Sequence, residues 1–131
     1  MRTFLLALLS STALASIINC NTNSVFTVNA LEFYPDPAIR NENSTITFDF
    51  TVPAEVTQGT AKYSFSFNGI PFTPTVNDLC LDTTCPVVVG HHSQSTSSPF
   101  PDVSGKVITK IEWFDELENS LLCAQITTKV S

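Results

Sequence analysis

Hydrophobic and polar residues alternate along most of the chain, which is the pattern of β-strands with one buried face. Every second position is apolar in residues 45–52, and the same alternation runs through residues 62–68 and 122–130. Residues 25–34 and 106–114 are rich in β-branched and aromatic side chains, which favour strands. No segment has the convincing spacing of an amphipathic helix, so the pattern predicts an all-β protein.

Turn-forming residues separate these runs at short intervals, and the prolines fall mostly between runs, where no backbone donor is missed. Residues 91–101, rich in Ser, Thr and Pro, predict an exposed loop or a short edge strand. About seven short strands in one domain predict an antiparallel β-sandwich of the immunoglobulin-like type. The turns are Pro35-Asp36-Pro37, Asn41-Glu42-Asn43, Gln58-Gly59, Asn68-Gly69 and Glu118-Asn119.

Residues 1–15 have the composition of a secretory signal peptide. Arg2 supplies the positive charge, residues 4–9 are apolar, and small residues precede a predicted cleavage after Ala15. A membrane anchor is the alternative, but the apolar run is well short of the roughly 20 residues that span a bilayer. We therefore expect one domain, residues 16–131, that is secreted or reaches the endosomal or lysosomal lumen.

Four cysteines remain after cleavage, and an even number in an exported chain indicates disulfides. Cys80 and Cys85 are close in sequence and flanked by turn residues, so a small local loop is the natural pairing. That leaves Cys20 with Cys123, which joins the two ends of the domain. A zinc site is the alternative, but two cysteines with four residues between them and no second tight pair match zinc spacing poorly.

The mature chain is acidic. Removal of Arg2 leaves five Lys and Arg against twelve Asp and Glu, a net charge of −7. A chain of this charge repels phosphate backbones, so nucleic acid is excluded as a partner. Strong permanent attraction to anionic membranes is disfavoured for the same reason.

The sequence offers no constellation for catalysis, and we predict neither an enzyme nor a metal or cofactor site. His91 and His92 are neighbours, and on a strand they point to opposite faces. The chain contains no Gly-x-Ser-x-Gly motif, and its cysteines are expected to be oxidised. Asp115, Glu116 and Glu118 could form a carboxylate pair, but they lie between two strands, where a solvated hairpin is expected.

The aromatic residues carry more information about function. Phe48, Phe50, Phe65 and Phe67 alternate on two predicted strands and could fill the interior of a small sandwich. An ordinary dry core is one interpretation. The other is an apolar interior that admits a lipid, since each buried CH₂ of a guest contributes about 0.8 kcal/mol.

Two proline-rich segments could form the rim of an opening. Ile70 and Phe72 lie between Gly69 and Pro74, and Phe100 lies between two prolines. These residues could equally be packed onto the core. Separately, Asn43 begins the only Asn-x-Ser/Thr sequon and could carry a glycan.

Several motifs together make the mature chain resemble the ML lipid-recognition family. Its members include phosphatidylglycerol/phosphatidylinositol transfer proteins and Niemann-Pick type C sterol carriers. Each motif is weak alone, but their order and spacing cover the chain from Cys20 to Val130. The motifs are Tyr34-Pro35-Asp36-Pro37, Gly69-Ile70-Pro71-Phe72, Asp78-Leu79-Cys80, Cys85-Pro86-Val87-Val88-Val89-Gly90, Ile111-Glu112-Trp113 and Ser120-Leu121-Leu122-Cys123.

The resemblance implies a ligand between two sheets and the same two disulfides. It favours the rim interpretation, with Ile70, Phe72, Val87 and Phe100 near the pocket mouth and Trp113 on a pocket strand. Residues 35–41 lack the loop disulfide of many sterol carriers, which favours the phospholipid-transfer branch. The expected function is non-enzymatic transfer of phosphatidylglycerol and phosphatidylinositol by a monomer with transient membrane contact. Sterol transport and a lipid-sensing receptor partner are the alternatives.

Overall fold

Residues 15–130 are described by the computed structural model, which contains nine strands and one short helix. The predicted signal peptide lies outside the described residues except for Ala15. No helix in residues 15–130 is long and apolar enough to cross a membrane. The elements are β1 (Ser16–Asn19), β2 (Thr27–Tyr34), β3 (Asn43–Val52), β4 (Gly59–Phe67), β5 (Ile70–Pro71), β6 (Thr75–Asp78), α1 (Leu79–Asp82), β7 (Gly90–Pro99), β8 (Gly105–Asp115) and β9 (Ser120–Val130).

The strands form two antiparallel sheets. The larger has the order β1-β9-β8-β4-β5, with β6 pairing the same edge of β4 at its other end, and the smaller has the order β2-β3-β7. This is the predicted all-β sandwich. The structure has more than the seven predicted strands because it includes three short ones, β1, β5 and β6, of two to four residues. Such pieces are too short to show alternation in the sequence.

An aromatic cluster fills the centre of the sandwich. The ring of Trp113 packs edge-on against Phe48 and Phe50, with ring centroids 5.4 and 5.5 Å apart. Phe26 stacks on Phe50 at 5.5 Å. All four side chains are buried. Edge-to-face pairs of this kind stabilise the fold by more than their buried area alone would give. Because the four side chains are buried against one another, this part of the core is closely packed.

The sheets are joined along one side only. Just before β2, the backbone N–H groups of Val25 and Phe26 donate to the carbonyl oxygens of Ser120 and Leu121 at 3.0 and 2.8 Å. The Cys20–Cys123 disulfide lies beside these bonds and joins the chain after β1 to β9. Contacts between strands of opposite sheets are concentrated where β2 lies beside β1 and β9. At the other side, β7 faces the β4–β6 edge without strand pairing.

Strand β7 is longer than its composition suggests. It pairs with β3 along its full length, from Gly90 opposite Val52 to Pro99 opposite Asn43. On the outer face the hydroxyls of Ser95 and Ser97 bond to threonine hydroxyls of β3 at 2.8 and 2.7 Å. Cross-strand bonds of this kind stabilise a sheet although each residue has modest strand preference. The loop interpretation of residues 91–101 is therefore wrong for most of the segment.

The second disulfide, Cys80–Cys85, closes a loop that contains α1. Asp78 caps this helix, since its carboxylate accepts a hydrogen bond from the Cys80 N–H at 2.8 Å. Both disulfides are therefore those expected from the cysteine spacing.

We expect the two disulfides to contribute unequally to stability. Their sequence separations are 103 and 5 residues, and loop-closure entropy grows with loop length. Replacing Cys20 and Cys123 by Ala should lower the free energy of unfolding by about 4–5 kcal/mol, and replacing Cys80 and Cys85 by about 2 kcal/mol. Urea denaturation of the two double variants measures the difference. Equal losses would contradict the assignment of the longer loop as the main covalent constraint.

Candidate functional site

A cleft of about 510 Å³ lies between the two sheets at their unjoined side. The smaller sheet contributes three lining residues, Ile46, Thr96 and Ser98. The larger sheet contributes residues of β4 and β8, namely Tyr63, Ser64, Phe65, Thr109 and Ile111. The remaining wall comes from the connecting segments, with Phe72, Thr73, Thr75, Asp82 and Pro101.

The apolar part of the cleft is centred on Phe65. The Phe72 ring packs edge-on against it at 5.2 Å, and Phe100 packs on it at 6.3 Å. The Asn68-Gly69 turn folds the following segment back on β4, and the Phe72 N–H donates to the Phe65 carbonyl oxygen at 2.8 Å. Phe72 remains 48% exposed, so its ring forms a border between the cleft and solvent.

The predicted pocket residues separate into three groups. Phe65 and Phe72 line the cleft. Phe48, Phe50 and Trp113 belong to the aromatic cluster and do not line it. Their ligand contact stays a prediction without support from this geometry, because their rings already fill the space that a guest would need.

The other four predicted residues lie around the cleft rather than in it. Phe100 is buried behind Phe65, and the lining residue is its neighbour Pro101. Phe67 is half-buried against the core, whereas Ile70 is 64% exposed. Val87 is buried and exchanges backbone hydrogen bonds with Val56 at 2.8 and 3.0 Å, which fixes the chain between α1 and β7.

The sequence analysis did not identify a polar contact across the unjoined side. The Tyr63 hydroxyl donates to Asp82 Oδ2 at 2.7 Å, and Gln94 Nε2 donates to the Asp82 backbone oxygen at 2.7 Å. Asp82, at the end of α1, therefore bonds to β4 of one sheet and β7 of the other. Alternation with Phe65 predicts that Tyr63 faces inward, but no local signal indicates that Asp82 meets it.

Burial raises the pKa of Tyr63 above its usual value, and the hydrogen bond and negative charge of Asp82 raise it further. The phenol is therefore neutral at physiological pH and acts as a donor to Asp82. The nearby Trp113 indole N–H lowers the pKa of Tyr63 and so partly offsets this increase. Trp113 Nε1 is buried and has no partner with hydrogen-bond geometry in residues 15–130.

Hydroxyl groups form much of the remaining cleft wall. Thr96 and Ser98 lie on the inner face of β7, Thr109 on β8, and Thr73 and Thr75 on the segment that borders the cleft. The lining residues include one carboxylate and neither lysine nor arginine. The cleft therefore combines an apolar floor with neutral donors and acceptors, and Lys110 lines only the adjoining groove, which shares Phe65 and Phe72 with the cleft.

The remaining candidate groups lie away from the cleft. The His92 ring stacks on Phe50 at 5.4 Å and its Nε2 lies 2.7 Å from the Val88 oxygen, while His91 points outward. Within residues 15–130 no group of His, Cys, Asp and Glu could hold a metal ion.

Asp115 accepts the Asn119 and Leu117 N–H groups, which lower the pKa of its carboxyl and stabilise the predicted hairpin. Asn43 is exposed, and its glycosylation stays a prediction.

Two Dictyostelium discoideum proteins, provisionally named phosphatidylglycerol/phosphatidylinositol transfer proteins, are similar to this chain in sequence. One is 26% identical over 131 residues, which cover 95% of this chain and 90% of that protein. The other is 25% identical over 114 residues, covering 83% of this chain and 76% of that protein.

Solved structures share the fold. The crystal structure of a Niemann-Pick type C2 protein from the Japanese carpenter ant has a TM-score of 0.71 at 15% identity, covering 88% of this chain and 99% of that chain. Chicken MD-1, crystallised with lipid IVa, has a TM-score of 0.66 at 14% identity and covers 88% of each chain. At these identities the likeness establishes the shared sandwich fold.

A family model described as the ML domain matches residues 15–130, which are all the residues that the structure describes. The match includes both sheets, both disulfides and the Gly69–Phe72 segment at the cleft. It confirms the resemblance first indicated by the order of the sequence motifs. The chain therefore belongs to the ML-domain family.

Proposed function

We propose that this protein binds one lipid in the cleft between its sheets and transfers it between membranes. The observation that carries the proposal is the cleft itself. Its volume of about 510 Å³ lies within the roughly 300–1,000 Å³ of small-molecule sites, and its floor is apolar. An acyl chain packed against Ile46, Phe65 and Ile111 would gain about 0.8 kcal/mol for each buried CH₂.

Phosphatidylglycerol and phosphatidylinositol are the proposed cargo. The names of the two Dictyostelium relatives support this choice, and each alignment covers more than three quarters of the relative. The net charge of −7 that follows from the predicted cleavage, and the absence of lysine and arginine among the lining residues, favour a phosphate that stays in solvent outside the cleft.

The exposed apolar residues near the cleft support a transient membrane contact. Phe72 borders the opening, and Ile70 precedes it on the same short hairpin at 64% exposure. A small apolar surface on an acidic chain would touch a bilayer briefly, because weak electrostatic attraction allows release. Both disulfides and the predicted signal peptide support a secreted or lumenal location, and we propose a monomer as the active form.

The first test is native mass spectrometry of the protein purified from its own host, followed by organic extraction. We expect one bound lipid per chain, and its identity distinguishes a phospholipid from a sterol. A protein without bound lipid that also extracts none from vesicles would contradict the proposal. A stoichiometric protein partner would instead favour a role in receptor recognition.

The second test blocks the cleft. Thr96 faces the cleft on edge strand β7, so Thr96→Phe should occupy ligand space and lower the transfer rate at least tenfold. His91→Phe places the same side chain on the outer, exposed face of β7, away from the cleft, and is the matched control. Fluorescent phosphatidylglycerol transfer between vesicles measures the rate, and circular dichroism checks folding. Full transfer by folded Thr96→Phe would place the lipid elsewhere.

A further inference from the structure

The only charged residue in the cleft wall is Asp82, and one of its oxygens is available. Oδ2 accepts the Tyr63 hydroxyl at 2.7 Å, whereas Oδ1 accepts no hydrogen bond from residues 15–130. A carboxylate oxygen has two acceptor positions, so Oδ1 can accept a hydrogen bond from a ligand. The cleft wall therefore presents a hydrogen-bond acceptor to whatever occupies the cleft.

Asp82 is held in place from three directions. Tyr63 binds its carboxylate from β4, Gln94 binds its backbone oxygen from β7, and the Cys80–Cys85 disulfide closes the loop around it. An acceptor fixed in this way does not have to be ordered when a ligand binds, so less conformational entropy is lost. The contact is therefore suited to selecting a ligand group as well as to joining the sheets.

The position of Asp82 matches the polar end of an amphipathic ligand. On one side it lines the cleft with Phe65 and Ile111. On the other it borders a shallow polar groove on the outer surface, lined by Thr83, Ser93 and other polar residues. A lipid whose hydrocarbon lies on the cleft floor would bring its first polar group to this boundary.

The chemistry of the contact determines which polar group fits. A phosphate carries the same sign of charge as Asp82, has no proton to donate at neutral pH, and finds no cation among the lining residues. A neutral alcohol can donate to Asp82 Oδ1.

We propose that Asp82 and Tyr63 form a hydrogen-bonding site for a free hydroxyl group of the bound lipid. The site selects lipids with a free alcohol in their polar part, such as a polyol headgroup or a sterol hydroxyl, over lipids in which that hydroxyl is absent or capped. The inference rests on the proposed lipid-binding function of the cleft and specifies what the cleft recognises.

The ionisation of Tyr63 provides a test of the contact itself. Tyr34→Phe leaves Tyr63 as the only tyrosine, since the chain has two. The phenolate absorbance of Tyr63 should appear only at a pH above the ordinary pKa of 10.0. Adding Asp82→Asn should shift this titration to lower pH. Because the folded-state pKa is raised, the associated stability is present below pH 10 and is lost as the pH rises through the folded pKa. If Tyr63 titrates at the same pH with and without Asp82→Asn, its hydrogen bond to Asp82 is contradicted.

The selectivity test uses lipids matched in hydrocarbon and charge. Phosphatidylcholine vesicles contain either phosphatidylglycerol or phosphatidylethanol, which keeps the anionic phosphodiester and lacks the hydroxyls. A second pair contains either cholesterol or its methyl ether. Wild-type protein should extract the hydroxyl-bearing member of at least one pair about tenfold better, as expected for a hydrogen bond to a charged group. The preferred pair distinguishes a polyol headgroup from a sterol hydroxyl.

The variants separate recognition from folding. Asp82→Asn and Tyr63→Phe should reduce the preference to less than threefold while extraction of the capped member is retained. Asp115→Asn, a carboxylate on the distant hairpin, is the control and should keep the wild-type preference. Equal extraction of both members by wild-type protein, or equal loss of both in the Asp82→Asn variant, would overturn the inference and leave the lipid-binding proposal standing. Extraction of neither member by wild-type protein would contradict lipid binding itself.

Discussion

The one-sided connection between the two sheets is the constraint on which the rest of the structure depends. Hydrogen bonds from Val25 and Phe26 to the start of β9, together with the Cys20–Cys123 disulfide, hold β2 against the β1–β9 edge. At the opposite side the sheets have only side-chain contacts and the loops around α1. The cleft lies at this side, where no strand pairing closes the sandwich.

The aromatic residues divide the interior into two regions with different roles. At the centre of the sandwich, Trp113 and three phenylalanines are buried against one another and stabilise the fold. Toward the free side, Phe65 has an aromatic neighbour on two sides and the cleft on another. The same type of residue therefore stabilises the fold in one place and offers a ligand surface in the other.

The polar groups are as unevenly distributed as the aromatic ones. Edge strand β7 presents Thr96 and Ser98 to the cleft, whereas its partner β3 presents Ile46. Polar residues on an edge strand also protect it from pairing with another molecule. The hydroxyl-lined wall thus serves folding and recognition together, and Asp82 is placed where the apolar floor meets the polar surface.

The sequence by itself determined the strand class, the two disulfides, the family and the inward faces of the main strands. These properties depend on local alternation, cysteine spacing and motif order, all of which are visible along the chain. It did not determine which inward residues line the cleft, because alternation assigns Phe48 and Phe65 to a face without saying how far away the opposite sheet lies. The length of β7 and the contact of Tyr63 with Asp82 were decided by tertiary structure. Pairing with β3 extends a segment of modest strand preference, and only the packing of α1 against β4 and β7 brings together residues 19 positions apart.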